Sequence, residues 1–249
     1  MESKSIAVTG KGGVGKTLVA GLLVKFLGEL TSKTVLAIDA DPDSNLAECL
    51  GVTFDKTVGD LRVGLLDHRL APGMDKKKYL DAKVFEITVE TEKFDLLVMG
   101  RPDGPGCYCA INHMIKGIMD STTEAYDCVV VDSEAGLEHL SRKTIENIDS
   151  LMIVTDASRK GLLTAKRISE LVNELDMKFR NISLVLNKVT EANREELIKK
   201  AREINLEIIG VIPEDPLVEE YDLKGKPLVE LPSNSKAYQE IKKIADTLK

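Results

Sequence analysis

Short apolar runs recur along the chain, each followed by a longer stretch whose apolar positions return every three or four residues. Residues 5–9, 34–38, 94–99, 127–131, 151–154, 182–186 and 208–212 read as strands, several of them apolar on both faces. Residues 14–30, 111–119, 137–148, 162–175, 194–204 and 237–248 carry the helical period. Strands buried on both faces and alternating with helices predict an α/β fold: a mostly parallel central sheet of about seven or eight strands, helices on both faces and right-handed crossovers. Ligands in such sheets bind beyond the carboxyl ends of the strands. The polar signatures of this chain follow strands.

Residues 61–89 break the pattern, with Gly64, Pro72, Gly73 and the run Lys76-Lys77-Lys78. They read as an irregular insertion of loop and short helices, the lysines forming a solvated face. No repeat and no linker divides the rest, so one domain over residues 1–249 is expected. The chain holds 34 Lys plus Arg against 41 Asp plus Glu, a formal net charge of −7, which speaks against nucleic-acid binding. A hydrophobic fraction of 43% argues against disorder along the whole chain. Four cysteines in 249 residues make no disulfide scaffold and point to a reducing compartment. No secretory segment is visible, and the most apolar helix-length stretch, 18–30, is interrupted by Lys25 and Glu29. The expectation is a cytoplasmic protein with no membrane partner.

After the first strand comes Gly10-Lys11-Gly12-Gly13-Val14-Gly15-Lys16-Thr17, followed by Leu18. The spacing G-x-x-x-x-G-K-[ST] between a strand and a helix is that of a phosphate loop. Its glycines let backbone N–H groups wrap a phosphate, and the helix adds its positive end. Lys16 is placed to reach the β- and γ-phosphates, and the Thr17 hydroxyl to ligate Mg²⁺. The second strand runs into Asp39-Ala40-Asp41-Pro42-Asp43, a cluster that is costly without a cation or a reacting water. Asp43 reads as turn and cap chemistry. The fourth strand ends Val130-Val131-Asp132, and an acid there suits Mg²⁺ held through water. Glu134, Glu138 and His139 follow, the acids suiting a helix dipole equally well.

Beyond the third strand, Cys107-Tyr108-Cys109 sits on a Pro/Gly loop ahead of a helix, with His113 one helical turn further on. Thiols near a helix N-terminus favour the thiolate. Two thiolates are half of a four-coordinate soft-metal site, for nickel or zinc, which a homodimer would complete. A redox couple is the alternative. Cys49 and Cys128 read as structural.

The loop Lys11-Gly12-Gly13-Val14-Gly15-Lys16-Thr17 resembles the deviant Walker A loop of the MinD/ParA/nitrogenase-iron-protein class of ATPases. Together with Asp39-Ala40-Asp41-Pro42, Pro105-Gly106-Cys107-Tyr108-Cys109-Ala110 and Asp132-Ser133-Glu134-Ala135-Gly136, it resembles the CooC-type ATPases, nickel-insertion accessory proteins of carbon monoxide dehydrogenase. The resemblance implies an ATP-sandwich homodimer in which Lys11 reaches the partner's nucleotide. It further implies that Asp41 positions the attacking water, that Asp39 lies near the Mg²⁺ shell, and that Asn187 recognises adenine within a frame of Pro213 and Asp215. ATP, Mg²⁺ and Ni²⁺ (or Zn²⁺) are the implied ligands, and a nickel enzyme such as carbon monoxide dehydrogenase the implied client. Leu18 departs from the Thr or Ser usual there, removing a hydroxyl from the α-phosphate. Two alternatives accompany this reading. An iron–sulfur ATPase like the nitrogenase iron protein would use well-separated cysteines. A MinD- or ParA-like spatial regulator would need a membrane-binding terminal helix or a basic face.

Overall fold

The computed structural model describes residues 4–30, 34–61, 76–101, 125–133, 148–175 and 177–248. In chain order they form β1 (Lys4–Gly10), α1 (Lys16–Leu30), β2 (Val35–Ala40), α2 (Asn45–Leu50), α3 (Lys76–Ile87), β3 (Val89–Glu90), β4 (Asp95–Val98) and β5 (Cys128–Ser133). There follow β6 (Ser150–Asp156), α4 (Arg159–Glu174), β7 (Asn181–Val189), α5 (Arg194–Arg202), β8 (Glu207–Pro213), α6 (Pro216–Leu223), a 3-10 turn (Leu228–Glu230) and α7 (Lys236–Thr247).

Alternation of side chains along each strand divides the apolar residues between two layers. Ile6 and Val8 of β1, Val35 and Ala37 of β2, and Cys128 and Val130 of β5 pack with α1, α2 and α7. Ala7, Leu36, Ile38, Val129 and Val131 go to the opposite face, among Ile168 and Val172 of α4, Leu197 and Ala201 of α5, and Val84 and Ile87 of α3. Helix α1 is apolar nearly all round because it is enclosed by the sheet, α2 and α7. Its one mid-helix cation, Lys25, reaches out to donate to the Val229 carbonyl at 2.6 Å.

The eight strands form one sheet in the order β3-β4-β2-β5-β1-β6-β7-β8. Every pairing is parallel except the antiparallel β3–β4 edge. The expected fold class is therefore what the molecule has. Strand β1 lies between β5 and β6, so the loop after it emerges at the middle of the carboxyl edge. The loops after β2 and β5 flank it on one side, and those after β7 and β8 on the other.

Three local differences from expectation matter. Strands β2 and β5 each run two residues further than the apolar pattern indicates, taking Asp39 and Asp132 into the sheet as direct partners. The insertion holds a 12-residue helix, α3, whose Val84 and Ile87 are buried, and residues 62–75 lie outside the described residues. Helices α2 and α6 appear in stretches that show no clear helical period. The helices expected at 111–119 and 137–148 lie outside the described residues except for Ile148, which is buried and outside any helix.

Candidate active site

Backbone geometry at the end of β1 explains why the loop is glycine-rich. Gly10 sits where a Cβ would lie 2.1 Å from the Val154 carbonyl oxygen of β6, so no side chain fits. Gly15 has φ +93°, and a Cβ there would lie 2.3 Å from Nδ2 of Asn187. Lys16 and Thr17 open α1, the first helical turn, where unpaired N–H groups face an incoming anion. The Lys16 side chain is buried, and its ammonium is 3.5 Å from the Lys11 carbonyl oxygen. Lys11 itself is half-buried. Leu18 is buried in the core beneath the loop.

Two acids lie under the start of α1. Asp39 and Asp132 are paired residues of neighbouring strands, 0% and 1% exposed. The Thr17 hydroxyl donates to Oδ2 of Asp132 at 2.7 Å, while Oδ1 of Asp132 is buried with no hydrogen-bond partner. Asp39 is better supported, accepting from the N–H of Leu46 at 2.9 Å and of Asp41 at 3.2 Å. Burial pushes the Asp132 carboxyl up to about 7, outweighing the Thr17 hydrogen bond. Burial likewise pushes Asp39 up to about 6 against the N–H groups of Leu46 and Asp41. Cys49 of α2 closes the site from behind, donating to the Thr17 carbonyl at 3.4 Å, and burial pushes its thiol well up. It is a neutral, structural thiol, as its sequence context implies.

A buried carboxylate that accepts a threonine hydroxyl on one oxygen and has no partner on the other fits Mg²⁺. That ion takes one or two protein oxygens and keeps several waters and phosphate oxygens. Thr17 would hold it directly and Asp132 through water. When bound, it neutralises charge on the β- and γ-phosphates.

The loop opens onto a cavity of about 650 Å³. Gly12, Gly13, Gly15, Lys16, Thr17, Leu18, Asp41, Asn187, Pro213 and Asp215 all line it. Gly10, Val14, Asp39 and Asp132 are buried. Asp41 orients the turn after β2 by accepting from the Asp43 N–H at 3.0 Å, and Asp43 is ion-paired with Arg101. Asn187 donates from Nδ2 to the Val14 carbonyl at 2.7 Å and accepts the Lys188 N–H at 2.9 Å. Part of its hydrogen-bonding capacity thus holds the phosphate loop. Asp215 caps α6 by accepting from the Leu217 N–H at 3.0 Å, and it also accepts from the Ser235 hydroxyl at 2.6 Å and the Ala237 N–H at 3.1 Å. Burial alone would raise its carboxyl; these donors hold it below the usual carboxylate range. Its carboxylate ties α6 to α7, and its place in the cavity wall follows from that.

Sequence reasoning assigned nothing to Lys188, whose ammonium donates to the Gly13 carbonyl at 3.0 Å and which also lines the cavity. The signal was present as a polar Asn-Lys pair at the end of an apolar run. Cys107, Cys109, His113, Glu134, Glu138 and His139 lie outside the described residues. Among the described residues no group of three or more metal-ligating side chains occurs.

Residues 5–228 match the family described as CobQ/CobB/MinD/ParA nucleotide binding domain. The chain is 50% identical to an uncharacterized ATP-binding protein of Methanocaldococcus jannaschii, over 98% of this chain and 97% of that one. It is 34% identical to the carbon monoxide dehydrogenase accessory protein CooC of Rhodospirillum rubrum, over 88% of this chain and 87% of that one. The MinD cell division protein of Aquifex aeolicus superposes with a TM-score of 0.74 at 26% identity, covering 99% of this chain and 96% of that one. With a phosphate loop at the centre of the sheet, a buried acid pair beneath it and a cavity beyond it, the chain belongs to the CobQ/CobB/MinD/ParA nucleotide-binding family and is a P-loop ATPase.

Proposed function

We propose that this ATPase is a metallochaperone: it dimerises with ATP and inserts nickel into carbon monoxide dehydrogenase or a related nickel enzyme in the cytoplasm. The observation that carries the reading is the Cys107-x-Cys109 pair in a chain 34% identical to CooC. Two thiolates per chain supply four to a dimer, a complete tetrahedral soft-metal site. Nickel, or zinc in its place, is the cargo.

In this reading Lys16 and the loop N–H groups of Gly10 to Thr17 hold the phosphates. Lys11 reaches the nucleotide of a second copy, and Asp41 positions the attacking water from the turn it already orients. Asn187, with Pro213 and Asp215 at the far wall, frames the adenine. Helix α7 supports a chaperone over a membrane-bound regulator: Ala237, Ile241, Ile244 and Ala245 are buried, and the helix packs on β8 and α1. Its apolar face is committed to the core. Among the described residues no helix is long and apolar enough to cross a membrane.

The test is equilibrium dialysis against Ni²⁺ in the nucleotide-free, ADP and non-hydrolysable-ATP states. One Ni²⁺ per dimer is expected, with an affinity that differs between nucleotide states, because a ligand shifts a conformation only through differential affinity. Replacing Cys107 and Cys109 by Ser should eliminate tight Ni²⁺ binding and leave ATP binding in place. Unchanged Ni²⁺ stoichiometry in that double variant would refute the metal site.

A further inference from the structure

The turn that follows β2 is held at both ends. At its inner end the Asp41 N–H donates to Oδ1 of buried Asp39 at 3.2 Å. The turn then closes on Asp41 itself: its carbonyl accepts the Ser44 N–H and its Oδ1 accepts the Asp43 N–H, both at 3.0 Å. At the outer end the Arg101 guanidinium donates to Oδ1 of Asp43 at 2.5 Å. Asp41 and Asp43 both line the cavity.

Arg101 stands on a backbone fixed from two sides. Met99, two residues before it, donates its N–H to the Asp39 carbonyl at 2.9 Å, which ties the exit of β4 to β2. From the other side the Gly59 N–H donates to the Met99 carbonyl at 2.9 Å. A Cβ on Gly59 would lie 2.5 Å from the Arg101 carbonyl oxygen, and one on Gly100, at φ +65°, would lie 2.5 Å from the Thr57 hydroxyl. Thr57 in turn donates its N–H and its hydroxyl to Asp60 at 2.7 and 2.8 Å. Two glycines thus let the turn of residues 57–60 close against the exit of β4, and the guanidinium reaches Asp43 from a fixed base.

The pair is exposed, its side chains 71% and 62% accessible, and such a pair adds little to stability. Its weight is geometric. The Asp43 N–H is bonded to the Asp41 carboxylate, so a shift of Asp43 carries that carboxylate with it. Without Arg101 the turn is pinned at Asp39 alone and can pivot there. Misplacing a reacting group by about 1 Å can cost about 100-fold in rate.

We propose that Arg101 is a positioning residue for ATP hydrolysis: through Asp43 it fixes the Asp41 carboxylate against the attacking water. The inference rests on the reading that gives Asp41 that water, and it is independent of the cysteine pair.

The experiment follows a single turnover of Mg·ATP on excess full-length protein, alongside the Kd for Mg·ATP and the urea midpoint. Arg101→Gln breaks the link from one side; Asp43→Ala breaks it from the other and leaves the backbone N–H that Asp41 accepts. Each should slow hydrolysis about fivefold, the upper worth of an exposed pair, with Kd and midpoint as in wild type. The double variant should be no slower than either single, because both break one link. Arg101→Lys keeps the charge and should recover part of the rate. A contact that served only the fold would move the midpoint and spare the rate. Losses that multiply to about 25-fold in the double variant overturn the role of Arg101. So do wild-type rates in both single variants while Asp41→Ala is slow. Wild-type hydrolysis in Asp41→Ala overturns the reading beneath, and the role of Arg101 with it.

Discussion

Two buried aspartates stand near one cavity, Asp215 in its wall and Asp132 behind Thr17, and the chain treats them in opposite ways. Asp215 receives three donors, from Leu217, Ser235 and Ala237, and its carboxyl is held below the usual range. Asp132 receives one, from Thr17; its second oxygen has no partner, and its carboxyl is pushed up to about 7. A buried carboxylate that is fully hydrogen-bonded stabilises the fold. One that is left short destabilises it until something arrives. The first arrangement is what a structural junction needs. The second is what a cation site needs, since its unmet demand is met by the ligand.

The comparison breaks first at Asp215. Asp215→Ala strands the Ser235 hydroxyl and removes the α6 cap, and a loss of about 3 kcal/mol in urea unfolding is expected. An Asp215→Ala protein as stable as wild type would mean that its hydrogen bonds carry no weight. At the other site the effect is on turnover. Asp132→Asn keeps the shape and an acceptor for Thr17 but removes the charge, and Mg²⁺-dependent ATP hydrolysis should fall about 10- to 100-fold. Nucleotide-free Asp132→Asn should nonetheless be more stable than wild type at neutral pH, by about 2 kcal/mol. Greater loss of stability than of turnover would place Asp132 with Asp215.

Ser235→Ala is a milder probe of the junction. It removes one of three donors to Asp215 and the α7 cap to the Tyr238 N–H, and about 1–2 kcal/mol should be lost with turnover intact. The smallest and sharpest contrast is in pH. The Asp132 carboxyl is raised above its ordinary value, so its protonation favours the fold. That contribution is complete below about pH 4 and is lost as pH rises through about 7. The stability gap between Asp132→Asn and wild type, both without nucleotide, should therefore widen between about pH 5 and pH 8. Asp215 is depressed, so its contribution is present above the ordinary carboxylate range and lost as pH falls through its folded value. The gap between wild type and Asp215→Asn should stay level over that window and close only in acid. Unfolding midpoints across pH decide both; parallel curves would erase the distinction.

The seven strands of the apolar pattern are all present, because runs such as Ile6-Ala7-Val8 and Val129-Val130-Val131 are buried on both faces and leave no other reading. The pattern stopped short at Asp39 and Asp132 because a buried acid is indistinguishable, in sequence, from the polar residue that ends a strand. Their burial is visible only when β2 and β5 are seen side by side. Helix α6 was hidden by its shortness, though Asp215-Pro216 carries an N-cap and a first-turn proline. The two-residue β3 has too few positions to show an alternation. The glycine spacing of the phosphate loop was legible, since it is set by the local turn from β1 into α1. What Asp215 does was not, because its partner Ser235 lies 20 residues away.

The strand that carries the phosphate loop is completed late. Lys4 is paired with Cys128, and Ile6 with Ser150, so β1 has no lateral neighbours until more than half of the chain is available. During synthesis from the N-terminus, the apolar segment Ile6-Ala7-Val8 must wait, unpaired, for strands far downstream. Closing such long loops is slow. The Asn187 and Lys188 braces come later still, so the loop is held in shape only after β7 has joined β6. A nucleotide bound at that loop therefore adds its binding energy to the finished sheet.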